Sequence, residues 1–138
     1  MSLVYPMLVM VLLTFGTVVA LFRTRARFVR ERKVDPAFFG TYQDGQEPAA
    51  SAKLARHFSN LLEAPTLFYA GCVAAMASGH QTPLIVGLAW AYVAARITHT
   101  AIHTGPNVLV PRIAAYFTSW VLLVALWLAL AVTVARTS

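Results

Sequence analysis

The chain has 138 residues, of which 59% are hydrophobic and only 12% charged, and its formal net charge is +6. A mean hydropathy of +0.66 is typical of an integral membrane protein, and this length leaves no room for a soluble catalytic domain beside the apolar segments. The net positive charge raises the alternative of nucleic-acid binding. Because aromatic residues are not interleaved with the basic ones and no nucleic-acid-binding motif is present, we expect no nucleic-acid partner.

The first apolar segment covers about residues 3–22 and carries no charge. This length spans a hydrocarbon core of roughly 30 Å. Its basic residues follow the apolar run instead of preceding it, which is the pattern of a cytoplasmic membrane flank beside anionic lipid and not of a cleavable signal peptide. These residues are Arg23, Arg25, Arg27, Arg30, Arg32 and Lys33.

Three further helices are predicted after a polar connection over residues 23–51, at about 52–79, 83–103 and 111–135. The sequence therefore predicts a single all-α domain over residues 1–138, folded as a bundle of four transmembrane helices. Seven Lys/Arg, the six above and Lys53 at the start of the second helix, lie on one side, whereas Arg136 alone lies near a membrane end on the opposite side. This bias predicts a multi-pass protein of the cell inner membrane with both termini outside and 23–51 and 104–111 in the cytoplasm.

Small residues repeat every four positions on two of these helices, where they allow close helix packing in a membrane. They are Gly71, Ala75 and Gly79 on the second, and Gly87, Ala91 and Ala95 on the third. The one cysteine, Cys72, lies in the same apolar run as Gly71, and we expect it to be a buried hydrophobe.

Polar residues inside the last three segments form stripes at helical spacing, and residues three or four apart share a helix face. Ionisable groups near a membrane centre are costly, at roughly 2.5–3.5 kcal/mol each. All three stripes lie toward the predicted cytoplasmic ends, so they can converge within one bundle or across a subunit interface. They are Arg56, Asn60 and Glu63; Tyr92, Arg96, His99 and His103; and Arg112, Tyr116 and Ser119.

The charges of these stripes predict a site for a small anion. Three arginines face one acid, Glu63, which leaves a surplus of +2 that a ligand of charge near −2 would neutralise. An alternative is an interhelical salt bridge between Glu63 and Arg96, but this would leave the other arginines unpaired at depth, where the penalty is large.

A metal site is a second alternative, because His99 and His103 are spaced i, i+4 on one face and such a pair can bind zinc. The third ligand would have to come from His57, His80 or Glu63. Since the surrounding arginines disfavour a cation, we predict no metal site.

Two motifs carry a resemblance to a known family. Residues 53–65 read KLARHFSNLLEAP, and residues 95–99 read ARITH. They resemble the Arg-x3-Asn-x2-Glu signature, followed by proline, and the Ala-Arg-x-x-His signature of the MAPEG family, the membrane-associated proteins in eicosanoid and glutathione metabolism. Arg112 follows Arg96 by 16 positions, as in the microsomal glutathione transferase branch, and the resemblance covers nearly the whole chain.

The resemblance implies a homotrimer of left-handed four-helix bundles, with glutathione sites between neighbouring subunits that open to the cytoplasm. It implies that Arg112 lies at the thiol and that His99 matches a family histidine. His103 stands where the transferase branch usually has tyrosine, and we place it in the same site with Tyr116. Four residues would hold the glutathione backbone: Arg56, Asn60, Glu63 and Arg96.

We therefore expect a glutathione transferase or peroxidase with glutathione as co-substrate. The second substrate would be a lipophilic electrophile or lipid hydroperoxide reached from the membrane lipids. Glutathione as thiolate carries a charge of −2, which matches the surplus, and Arg112 would stabilise that thiolate. One alternative is a non-catalytic protein of the same fold that binds a lipid headgroup or other small anion. A small transporter subunit fits less well, because the stripes gather at one face and line no through-path.

Overall fold

The computed structural model describes residues 2–42 and 45–137, and its regular elements are all α-helices. The described residues form α1 (Val4–Arg30), α2 (Phe38–Thr41), α3 (Ala49–Ala77), α4 (Pro83–Thr104) and α5 (Leu109–Thr137). By length and composition α1, α4 and α5 are apolar enough to cross a membrane. The all-α prediction is confirmed. A fourth span is not, because α3, though long, carries several charged and polar side chains in its first half.

The predicted helix bounds differ from the observed ones mainly between the first two long helices. α1 does not end with its apolar run but continues through the basic residues to Arg30. The short helix α2 was not predicted, and it forms where Phe38 is buried against Phe28 and Val34. Tertiary burial of one aromatic side chain thus orders a turn that local sequence signals describe as loop.

The connection between α3 and α4 is a tight turn, and hydrogen bonds end the first helix and cap the second. Gly79 has a φ of +76°, and the His80 N–H donates to the Ala75 carbonyl at 2.8 Å, which closes the last turn of α3. The Thr82 hydroxyl then accepts from the Ile85 N–H at 3.3 Å and caps α4. Gly79 therefore serves the turn, and its predicted role in helix packing is wrong.

Contacts between helix ends show that the long helices alternate in direction. The Leu3 N–H donates to Gln81 Oε1 at 3.1 Å, and Thr137 Oγ1 lies 3.2 Å from His80 Nε2, so residues before α1 and at the end of α5 meet the α3–α4 turn. We call this the terminal end of the bundle. Which side of a membrane this end faces stays a prediction.

The opposite end, which we call the loop end, joins the C-terminus of α1 to the start of α3. Arg25 Nη2 pairs with Glu47 Oε1 at 2.9 Å, and Arg25 Nε also donates to Ser51 Oγ at 3.3 Å. Lys53 Nζ donates to the carbonyl of Thr104 at 2.8 Å, which ties α3 to the end of α4. The first half of α3 is thereby held between α1 and α4.

The apolar core lies in the middle and terminal parts of the bundle. The Phe68 ring stacks on the Tyr92 ring with centroids 4.5 Å apart and an interplanar angle of 12°. Met10 of α1 is also fully buried in this core. Cys72 is a free, fully buried cysteine, as predicted.

The small residues of α3 and α4 play different parts. A Cβ added at Gly71 would meet Leu126 Cδ2 at 2.9 Å and the Trp127 ring at 3.2 Å, so α5 approaches α3 closely there. Ala75 is fully buried. Gly87, in contrast, is exposed, and a Cβ added there meets nothing within 4 Å. The predicted packing role is confirmed for Gly71 and wrong for Gly87 within one chain.

Candidate functional site

A cavity of about 740 Å³ opens at the loop end of the bundle. Its walls come from the first half of α3, the last turns of α4 and the first turns of α5. One chain alone therefore brings the three polar stripes together, and convergence does not need a second subunit. The lining residues are Ala49, Ala52, Lys53, Arg56, Ser59, Asn60, Glu63, His99, His103, Asn107, Arg112, Ile113, Tyr116 and Phe117.

Positive side chains outnumber negative ones on these walls, with Lys53, Arg56 and Arg112 facing Glu63 as the one carboxylate. Arg112 Nη1 donates to Asn107 Oδ1 at 2.8 Å. Arg56 and Glu63 are exposed and form no hydrogen bond or ion pair with the part of the chain that the structure describes. Their charges are thus free to meet a ligand.

Arg96 lies behind the cavity wall and is fully buried. Its Nη2 donates to the backbone carbonyl of Asn60 at 2.8 Å, while Nε and Nη1 have no hydrogen-bond partner in the described residues. Glu63 and Arg96 do not form the interhelical salt bridge considered as an alternative. The ion pairs among the described residues are Arg25–Glu47, Arg27–Glu31 and Lys33–Glu31.

Seven of the eight residues assigned to the site from the sequence line the cavity, and Arg96 lies behind it. Lys53 also lines the wall but was not assigned, although its place three residues before Arg56 is the spacing that signals a shared face. Two other stripe members are in the core. Tyr92 stacks on Phe68, and Ser119 is buried with its hydroxyl donating to the Tyr116 carbonyl at 2.7 Å. The ligand roles themselves stay predictions.

Three histidines cluster beside the cavity, where His57 of α3 meets His99 and His103 of α4, and the two histidines of α4 also line the wall. Their ring centroids are 4.9–5.7 Å apart, and all three side chains are buried. The sequence named His57 only as one of three possible third ligands. The i, i+4 spacing on α4 predicted that His99 and His103 lie together. His57 points away from the Arg56 stripe, and only the packing of α3 against α4 shows that it belongs to the cluster.

Comparison with known proteins identifies the family. The model of the MAPEG family matches residues 3–132. No curated protein and no solved structure gave a match. Because the family match spans nearly the whole chain and three of its helices are long and apolar enough to cross a bilayer, this chain is an integral membrane protein that belongs to the MAPEG family.

Proposed function

We propose that this protein binds glutathione in the loop-end cavity and uses it as co-substrate in a transferase or peroxidase reaction of the microsomal glutathione transferase type. The observation that carries the proposal is the cavity itself, in which three cations and one carboxylate face a common space. A volume of about 740 Å³ falls in the range of roughly 300–1,000 Å³ usual for small-molecule sites. Family membership supports it, since the family includes glutathione transferases and peroxidases.

The groups of glutathione match those of the cavity in number and sign. Its two carboxylates need cationic donors, and arginine forms bidentate charge-assisted hydrogen bonds with a carboxylate. Arg56 and Lys53 line one wall for this purpose, and Glu63 is suited to accept from the glutathione ammonium. Arg96 adds positive potential from behind the wall, with two donor nitrogens still unused.

The thiol would lie near Arg112 in the first turn of α5. A free thiol with a pKa of about 8.5 is only a few per cent ionised at neutral pH. Lowering that pKa by two units takes about 2.7 kcal/mol of preferential thiolate stabilisation. A guanidinium beside a helix N-terminus, whose backbone dipoles also favour an anion, is a chemically suitable source.

The second substrate is expected to be lipophilic, because Ile113 and Phe117 are exposed apolar residues that also line the cavity. In a transferase reaction the thiolate sulfur attacks the electrophilic carbon and the leaving group departs. In a peroxidase reaction two glutathione molecules are oxidised to the disulfide, while the lipid hydroperoxide is reduced to the alcohol and water. Both reactions need a thiolate at the boundary between water and lipid.

The assembly we propose is a homotrimer with four membrane-crossing helices per chain, α3 included. Its support is the motif resemblance carried by residues 53–65 and 95–99. Native mass spectrometry in detergent tests it, and a trimer is expected. A monomer or dimer as the sole species would contradict this assembly.

We propose that the protein lies in the cell inner membrane with its loop end facing the cytoplasm, because the basic run lies at that end. Ser2→Cys and Gln46→Cys variants test this with a membrane-impermeant thiol reagent on intact cells. Only the Ser2→Cys variant should react. The native Cys72 is fully buried and gives a low background, and labelling of Gln46→Cys from outside would reverse the orientation.

Calorimetry with glutathione in detergent tests binding directly. Arg96→Ala should weaken binding by about 1.5–3 kcal/mol, the scale of a hydrogen bond to a charged group, and Glu63→Gln should weaken it through the ammonium. Arg136→Ala is the matched control, because Arg136 is an exposed arginine in the last turn of α5, far from the cavity.

The outcomes separate glutathione from other anions. If both site variants bind glutathione as tightly as the parent while Arg136→Ala also does, the assignment of the site is wrong. If the parent binds inorganic phosphate or a lipid headgroup but not glutathione, the protein is an anion-binding member of the same fold and not a glutathione enzyme.

A further inference from the structure

The three buried histidines carry more unused bonding capacity than the proposed anion site explains. The exposed fractions of His57, His99 and His103 are 0%, 2% and 6%. Each ring has one buried nitrogen without a hydrogen-bond partner among the described residues: His57 Nδ1, His99 Nε2 and His103 Nδ1. An unpartnered polar atom buried in an apolar bundle is costly, so three in one cluster call for a ligand.

Hydrogen bonds on the far side of two rings fix which nitrogen carries a lone pair. His99 Nδ1 lies 3.2 Å from the Arg112 carbonyl, which can only accept, so Nδ1 is protonated and Nε2 is bare. Thr100 Oγ1 already donates to the Arg96 carbonyl at 2.8 Å. It therefore accepts from His57 Nε2 at 3.0 Å, which leaves His57 Nδ1 bare.

We propose that His57, His99 and His103 bind one divalent transition-metal ion, with Zn²⁺ as the best fit. One ring nitrogen of each histidine lies within 4.8 Å of the other two. Zn–N bonds of about 2.0–2.1 Å in a tetrahedron put the ligand nitrogens about 3.3 Å apart. Side-chain rotations that move each nitrogen about 1 Å inward bring the three nitrogens to this separation.

The donor set and its surroundings select the kind of ion. Three neutral imidazoles suit Zn²⁺, Co²⁺, Ni²⁺ or Cu²⁺, whereas Mg²⁺ and Ca²⁺ require oxygen ligands, which this cluster does not supply. The Thr100 hydroxyl and the Arg112 carbonyl hold the outer ring nitrogens, as second partners of metal-bound histidines usually do. Three protein ligands leave a fourth position open, as in catalytic zinc sites.

The nearby cations, because of which the sequence predicted no metal site, set a condition on that fourth position. Arg96 is buried behind the cluster, and Arg112, Arg56 and Lys53 lie around the cavity that His99 and His103 also line. Their positive potential opposes a bare dication. The fourth ligand is therefore an anion, such as hydroxide or a thiolate, which lowers the net charge of the centre.

Zinc binding by the tag-free, detergent-solubilised protein tests the site without any glutathione present. Competition with a chromophoric zinc chelator should give one ion per chain. His57→Ala and His103→Ala should each lower the zinc affinity by about 100-fold or more, because loss of an outer-shell partner alone typically costs 10–100-fold. His80→Ala is the matched control, since His80 lies at the terminal end beside Thr137.

A second variant keeps the test decisive if a histidine variant does not fold. Thr100→Val retains all three ligands and removes the hydrogen bond that orients His57, so zinc should bind about 10–100-fold more weakly. Co²⁺ should give the visible absorption of a tetrahedral site in the parent and in His80→Ala. The proposal would be overturned if the parent bound less than one zinc ion per chain, or if the parent and Thr100→Val bound zinc with equal affinity.

Discussion

Helices α3, α4 and α5 run through both ends of the bundle, yet they pack closely toward one end and enclose a polar cavity at the other. Toward the terminal end Gly71 lets Leu126 and Trp127 approach α3 so closely that an added Cβ would collide with them. At the loop end the same helices diverge around a cavity of about 740 Å³ with cationic walls. Close packing and ligand binding are thus separated along the helix axis.

This separation explains where unpaired polar groups are tolerated. Tyr92 in the core has an unpartnered hydroxyl, whereas Arg56 and Glu63, whose charges have no partner among the described residues, lie at the loop end on the cavity wall. The half of the bundle toward the terminal end, which we call the packed half, holds the helices in place. The half around the cavity, which we call the polar half, can therefore keep hydrogen-bond donors without partners. The predictions below test whether the two halves are energetically independent.

The largest effect is expected in the packed half. Phe68→Ala should lower the free energy of unfolding by about 3–5 kcal/mol, because it leaves a cavity against the Tyr92 ring. Unfolding in mixed micelles with increasing denaturing detergent measures it. Phe15→Ala is the matched control, since Phe15 is 64% exposed and its loss should change stability by less than about 0.5 kcal/mol. Equal losses in the two variants would mean that the packed half is not where stability resides.

Arg112→Ala should act on the polar half alone. It should raise the pKa of the bound glutathione thiol by up to about two units, or about 2.7 kcal/mol, because the positive charge that favours the thiolate is removed. Titration of thiolate absorbance in the complex measures this shift.

Two comparisons sharpen the Arg112 test. Binding of an S-alkylated glutathione should stay nearly unchanged in Arg112→Ala, and Arg112→Lys should recover part of the pKa effect because the charge remains. An unchanged thiol pKa in Arg112→Ala would instead make Arg112 an anchor of the α5 end.

Gly71→Ala should destabilise the packed half by a net amount of about 1–2 kcal/mol. The added methyl group collides with Leu126 Cδ2 and a rigid indole ring, and this overpacking exceeds the gain in helix propensity. The unfolding assay that serves for Phe68 measures it. A variant more stable than the parent would show that α5 moves away from α3 without cost.

Gly87→Ala should have the smallest effect and the opposite sign. With no atom within 4 Å of the added Cβ, it should stabilise the chain by about 0.4–1 kcal/mol through reduced entropy of the unfolded state. A loss of stability that accompanies dissociation of the oligomer would instead show that another chain packs on this face.

Much of the fold could be read from the sequence, because hydrophobic periodicity and helix-end signals act locally. Thr82 and Pro83 mark the start of α4 where it is observed. α1 extends to Arg30, beyond the apolar segment predicted to end near residue 22. α2 was missed, because burial of Phe38 is a tertiary event. α3 is long but too polar to count among the apolar spans, because the polar residues in its first half are those that line the cavity.

The sequence predicted which site residues share a helix face, but not which residues of neighbouring helices meet. Spacing i, i+4 fixes which residues share a helix face, and this places Asn60, Glu63 and Tyr116 on the cavity wall. His57 lies one residue after Arg56, about 100° around the helix. Which helix covers that direction depends on how α3 and α4 pack, and sequence periodicity does not contain this information.

The cavity is lined by residues from 49–117, and no α1 side chain in the described ranges contributes to it. α1 instead meets the rest of the bundle through a row of inward residues that include Met10, Thr17 and Leu21. This division makes α1 an exchangeable module. A chimera that carries another apolar helix with the same inward row, and that keeps the Arg25–Glu47 pair, should retain the ligand selectivity of the parent.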